Sequence, residues 1–183
     1  ENIARTTQQN ASQVVFVMRH YKYGAHGDSY VDAVISAAEI MEQEGKHLVF
    51  AFYQGGYDEP VINRLQALGK NVWVWNPEAM SFDESYALLA SAGLVVTARL
   101  HAVYLAGLLG VPVVGIGLHP KLRLAAQMFG GNSTSIAANP TPTQIISAAR
   151  TVCSAEAEPL SRELHRARSE VLAMFDALRE WAT

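Results

Sequence analysis

The segment Thr97-Ala98-Arg99-Leu100-His101-Ala102 sets a guanidinium and an imidazole two residues apart, where an apolar strand closes and a helix opens. Ahead of it lies Gly93-Leu94-Val95-Val96. After it come a helical stretch to Gly110, the apolar strand Val111 to Gly117, and then Leu118-His119-Pro120-Lys121. A bare strand–helix–strand unit has no use for Arg, His and Lys together at one edge. Arginine meets carboxylate or phosphate with two parallel hydrogen bonds, and histidine exchanges a proton near neutral pH. Arg19 and His20 close the earlier apolar run Val14-Val15-Phe16-Val17-Met18 in the same way.

The elements between these residues must bring them together. Asp28 to Glu44 carries Val31, Val34, Ile35, Ala38 and Met41 at the three-and-four spacing of an amphipathic helix, and Gly45 stops it. Leu48 to Tyr53 reads as a strand, Gln54-Gly55-Gly56 as a turn, Glu59 to Leu68 as a helix, and Val72 to Trp75 as a third strand. Ser81 or Asp83 caps a helix reaching about Ala92. The two strands around the Arg99 segment follow, then a helix from Lys121 to Phe129, a short edge strand from Ser133 to Ala138, and a helix from Thr141 or Thr143 to about Val152. Pro159 to Trp181 is a last helix, with Phe175, Leu178 and Trp181 packing on this sheet or on a further domain. This alternation predicts a doubly wound, mostly parallel six-stranded α/β sheet with helices on both faces. Residues 1–13 read as a linker or disordered lead, and 14–183 as a single Rossmann-like domain.

In such a sheet, ligands bind beyond the carboxyl ends of the strands, where strand order reverses. With the order 3-2-1-4-5-6, Arg19, Arg99, His119 and Lys121 converge on one crevice. His101 falls in the first turn of the helix after Arg99, whose N-terminus favours anions. Together they make a site for a small ligand with several negative charges.

The totals exclude other classes. Half of the 183 residues are apolar and only 17% are charged, so the chain is a globular domain. A net charge of −3 without a Lys/Arg block argues against a nucleic-acid surface. The uncharged run Ala102 to Leu118 is broken by glycines and Pro112, which argues against a membrane span, and the start has no apolar signal-peptide core. The single cysteine, Cys153, fits a reducing, cytoplasmic setting and is an unpromising nucleophile.

Other motifs are weaker. Gly115-Ile116-Gly117 follows a strand but lacks the third glycine of a dinucleotide fingerprint. Gly24-Ala25-His26-Gly27-Asp28 is a flexible turn without the Lys-Ser/Thr of a phosphate-binding loop. His47 lies at the amino edge of a strand, the wrong edge for a ligand, and His165 on a solvated helix face. Trp73 and Trp75 alternate with valines, as sheet packing does. No metal-ligand spacing and no G-x-S-x-G elbow are present.

The ordered set A-G-L-V-V into A-R-L-H-A, then G-V-P-V-V-G-I, then P-K, with an earlier strand ending in Arg19, resembles the C-terminal half of the polysaccharide pyruvyl transferase family. The resemblance implies a two-domain, glycosyltransferase-B-like enzyme that moves the pyruvyl group of phosphoenolpyruvate onto a sugar of a cell-surface polysaccharide as a cyclic ketal. It implies His101 as the catalytic residue, Arg19, Arg99 and Lys121 as substrate-binding residues, and no metal or cofactor. The Gly-Leu-His before Pro120, where many relatives carry an aromatic-acidic pair, leaves His119 without an assigned role. The expected partners are phosphoenolpyruvate and a saccharide or lipid-linked saccharide acceptor, with no nucleic acid and no transmembrane segment. Any membrane association would be peripheral and run through an N-terminal, acceptor-binding half that these residues do not encode. The chemistry suits the residues, because a donor with phosphate and carboxylate needs several cations, and protonating its methylene carbon needs an acid. The alternatives are a nucleotide-sugar glycosyltransferase or epimerase, and a non-catalytic anion-binding domain of the same fold. A ribose-gripping carboxylate would favour the first, and Lys121 to Phe129 has none.

Overall fold

Along the first strand, Val14, Phe16 and Met18 enter one apolar cluster while Val15 and Val17 enter another, and all five are buried. A strand apolar on both sides must lie in the middle of a sheet with helices on either face, and the later strands repeat the pattern. The computed structural model describes residues 10–20, 27–117 and 120–155. The order is β1 (Asn10–Val17), α1 (Gly27–Gln43), β2 (His47–Phe52), α2 (Gly55–Ala67), β3 (Val72–Val74), α3 (Phe82–Ala90), β4 (Ala92–Thr97), α4 (Leu100–Leu108), β5 (Val113–Ile116), α5 (Pro120–Gln127), β6 (Ser133–Ile136) and α6 (Pro142–Ser154). The strands form one sheet in the order β3-β2-β1-β4-β5-β6, and every pairing is parallel.

That order decides which helix covers which face. Right-handed crossovers outward from β1 to β2 and β3 place α1 and α2 on one side. The chain then returns past β1 to β4, so α3, α4 and α5 fall on the other side, and α6 crosses back beside α1. Phe16, Phe50, Val34, Leu65 and Ile145 build the first core, with Phe16 and Phe50 stacked at 5.1 Å between ring centroids. Val17, Val95, Val113, Leu89, Val103 and Leu122 build the second. The reversal lies between β1 and β4, the two central strands.

Caps hold the helices that frame that gap. Ser81 and Glu84 form a reciprocal capping box at the start of α3, and Thr141 and Gln144 another at α6. Gly110, at φ 70°, ends α4 and lets the Val111 N–H return to the Ala106 carbonyl at 2.9 Å.

The fold matches the expected doubly wound α/β sheet, and several element boundaries differ. β1 begins at Asn10, inside the stretch read as a lead, because Asn10 pairs with Ala92 before a register shift to the Val14–Leu94 pair. β6 ends at Ile136 instead of Ala138. α2 begins at Gly55, four residues before the expected start, with Pro60 inside it. The Gly-Gly pair read as a turn is helical, since the Tyr57 and Asp58 N–H groups both reach the Gln54 carbonyl at 2.9 Å. His119, the 24–26 part of the glycine-rich turn, His165 and the 159–181 helix lie outside the described residues. Among those described, no helix is long and apolar enough to cross a membrane.

The β1–β4 shift depends on one small residue. A Cβ on Gly93 would fall 2.7 Å from Ala11 Cα and 2.8 Å from the Ala11 and Asn10 carbonyl oxygens, and backbone atoms cannot step aside as a side chain can. Gly93→Ala is expected to lower stability by about 1–3 kcal/mol, read as a drop in the urea midpoint. An unchanged midpoint would show that the first turn of β1 contributes little to the sheet.

Candidate functional site

Where β1 and β4 part, their carboxyl ends open into a cavity of about 510 Å³. Arg19 follows β1, Arg99 and His101 bracket the start of α4, and Lys121 stands in the first turn of α5; all four line this cavity. Its remaining wall is largely apolar, with Phe82 of α3, Leu100 and Leu105 of α4, and Leu122 of α5 among the lining residues. His101 and Lys121 are exposed at the mouth, and Arg19 is half-buried. The first N–H groups of α4 have no partner inside the helix and add their partial positive charge at the position of His101.

Arg99 is held from several sides. It is the residue before the first turn of α4, in extended conformation, and its own N–H donates to Thr97 Oγ1 at 2.9 Å. The Thr97 hydroxyl in turn donates to the Val17 carbonyl at 3.1 Å. The Arg99 guanidinium donates from Nε to the Met18 carbonyl at 2.9 Å and from Nη1 to Gln54 Oε1 at 3.0 Å. From Nη2 it forms an ion pair with Asp58 Oδ2. Asp58 is fully buried in the first turn of α2, and its other oxygen accepts the His20 N–H at 2.8 Å. Three of the five guanidinium donors are thus engaged by protein.

Asp58 and Gln54 were not legible as site residues. Gln54 falls in the Gln54–Gly56 stretch read as a turn and Asp58 just before the expected helix start at Glu59, and only the earlier start of α2 carries them to the rim. In Tyr57-Asp58-Glu59-Pro60-Val61 nothing local separates the buried Asp58 from its exposed neighbour Glu59. Elsewhere, cations pair with carboxylates on the surface: Lys70 with Glu42 and Arg150 with Glu44, each at 2.6 Å, and Arg64 with Asp32. Such exposed pairs contribute little to stability.

Other sequence candidates lie away from the cavity. His47 is exposed at the amino end of β2. Trp73 meets Tyr53 edge-on at 5.6 Å, which is sheet packing. Cys153 is exposed on α6, and desolvation raises its thiol pKa against a weaker downward pull from Lys46, the reverse of an activated thiolate. Among the described residues, no group of His, Cys, Asp and Glu could hold a metal ion.

Tyr53 completes the wall beside Arg99 and accepts the Ser85 hydroxyl at 2.9 Å. Burial raises its pKa above the usual 10.0, outweighing the downward pulls of the Ser85 bond and the Arg99 charge. The folded protein therefore keeps this proton at pH values where the unfolded chain gives it up. The resulting stability is complete below pH 10.0 and is lost as the pH rises through the folded-state value. Urea midpoints should accordingly fall more steeply above that pH in the wild type than in Tyr53→Phe; parallel curves would show that the phenol ionises freely in the fold.

Comparison with known proteins places this geometry. The polysaccharide pyruvyl transferase family matches residues 12–120, more than half of the chain, from within β1 through β5. No curated protein matches the chain in sequence. Among solved structures, UDP-GlcNAc 2-epimerase from Methanocaldococcus jannaschii is similar, at 13% identity with a TM-score of 0.61, over 94% of this chain and 48% of that one. The Neisseria meningitidis UDP-GlcNAc 2-epimerase, bound to UDP-GlcNAc, shares 16% identity at a TM-score of 0.58, over 94% and 47% of the two chains. The Escherichia coli ADP-heptose lps heptosyltransferase II shares 13% at 0.58, over 81% and 47%. The chain spans about half the length of these structures, and at such identities the likeness establishes a glycosyltransferase-B-like, Rossmann-type fold. By that match over more than half of its length, the chain belongs to the polysaccharide pyruvyl transferase family.

Proposed function

We propose that this chain is the donor-binding half of a cytoplasmic enzyme that transfers the pyruvyl group of phosphoenolpyruvate to a sugar of a cell-surface polysaccharide, forming a pyruvate ketal. The observation that carries the reading is one cavity, in a chain of this family, lined by Arg19, Arg99, His101 and Lys121 at the reversal of strand order. A donor with a phosphate and a carboxylate suits that ring of cations and the N-terminus of α4. Arg19 and Lys121 supply charge to its oxygens, and Arg99, already paired with Asp58, shapes the wall between them.

In this mechanism His101 gives a proton to the methylene carbon of the enol phosphate, and the adjacent carbon becomes cationic. A sugar hydroxyl adds there and its proton returns to the imidazole. The carbon–oxygen bond to phosphate then breaks, with Lys121 and Arg19 stabilising the charge on the departing phosphate. A second hydroxyl of the same sugar closes the ketal, and its proton leaves with the phosphate. The acceptor, as a saccharide or a lipid-linked saccharide, enters from the half that this chain does not include. A nucleotide-sugar donor is less well supported, because α5, the helix after β5, has no carboxylate to hold a ribose.

Replacing His101 with Gln in the whole protein should cut single-turnover transfer by about 10²–10⁴-fold while donor affinity by calorimetry changes only a few-fold. Lys121→Ala should instead weaken phosphoenolpyruvate binding by about tenfold or more, the loss expected for one charge-assisted hydrogen bond. Near-normal transfer by the His101 variant would remove the mechanism, and turnover with a nucleotide sugar instead of phosphoenolpyruvate would assign the cavity to the other donor class.

A further inference from the structure

Asp58 is a fully buried carboxylate to which the mechanism above gives no task. It sits on α2, yet its two oxygens reach the chain just after β1, through the His20 N–H, and the start of α4, through Arg99. Gln54, one turn earlier, takes a second Arg99 nitrogen, and the Met18 carbonyl takes a third. A guanidinium lining an anion site is normally read as ligand charge. Here that charge already has a carboxylate against it in a place with little water, where a unit charge acts strongly on its surroundings.

We infer that Asp58 is a positioning residue of this cavity: it cancels the charge of Arg99 and fixes its fork, so that Arg99 frames the site instead of supplying net attraction for the ligand. The inference rests on the anion-binding reading above, and not on which anion is bound. A lone Arg99→Gln change leaves a bare carboxylate at the cavity wall and repels anions. A lone Asp58→Asn change keeps an acceptor for the His20 N–H and releases the full Arg99 charge. The two changes together replace a neutral pair with a neutral pair.

The test is a double-mutant cycle on inorganic phosphate affinity in the whole protein, by calorimetry with the binding stoichiometry as a check of folding. Asp58→Asn should bind phosphate about three- to tenfold more tightly than wild type and with a steeper salt dependence. Arg99→Gln should bind about tenfold or more weakly, and Asp58→Asn/Arg99→Gln should return to within about threefold of wild type. A double variant as weak as Arg99→Gln would overturn the inference and make Arg99 a direct ligand clamp; so would weaker phosphate binding by Asp58→Asn at full stoichiometry. If a single variant fails to fold, the double variant against wild type still decides between the two. Phosphate behaviour as expected in a protein that transfers no pyruvyl group would leave Asp58 in this role and remove only the proposed reaction.

Discussion

The ion pair between Arg99 and Asp58 joins three segments that are far apart in sequence. Moving both charges out of water costs several kcal/mol per ion, and the mutual attraction offsets this only when the remaining donors and acceptors are also satisfied. Here the Met18 carbonyl, Gln54 and the His20 N–H meet most of that need, and the two guanidinium N–H groups left over belong to a side chain that lines the open cavity. Removing one partner alone would leave a buried charge, a loss of about 3–5 kcal/mol. The ends of β1 and β4 and the start of α2 therefore cannot shift independently, and Arg19 and His101, which flank them, inherit that rigidity. A site that must hold a small anion in one pose needs such a frame, because misplacement by about an ångström already slows a reaction strongly.

The sheet makes that frame possible. Parallel strands put all their carboxyl ends on one edge, and reversal of strand order leaves the gap between β1 and β4 uncovered by either set of helices. Polar groups gathered there can reach solvent and ligand while the rest of each strand stays apolar on both faces. The helices bring their N-termini to the same edge, which is why α4 and α5 deliver His101 and Lys121 in their first turns. The cavity wall between them is largely apolar, with Leu100, Leu105 and Leu122 among its residues, so the polar groups of the site are concentrated at its rim.

Much of the fold could be read directly from the chain. Apolar runs such as Val14 to Met18 and Val113 to Ile116 can only be central strands, and glycines at 45, 69 and 110 stop the helices between them. Alternation of strand and helix with right-handed crossovers then leaves few arrangements. The misplaced edges have local causes. Gly55 and Gly56 carry the strongest turn signal in their region, yet tertiary contacts of Asp58 hold them in a helix. Asn10 is polar, yet it pairs with Ala92 of β4 because Gly93 lets the two backbones approach.

The residue types at the site were likewise visible, since Arg, His and Lys at strand ends and helix starts have no purpose in a core. Their grouping around one cavity follows from strand order, which periodicity cannot encode. What only the tertiary structure decided is the state of Arg99. Sequence marks it as a cation beside a histidine, and a cation at a rim reads as a ligand clamp. Its partner lies 41 positions earlier and looks like any acidic residue in the first turn of a surface helix. Burial and charge cancellation depend on contacts between distant segments, so the chain shows that a charge is present, and only the fold shows where that charge is spent.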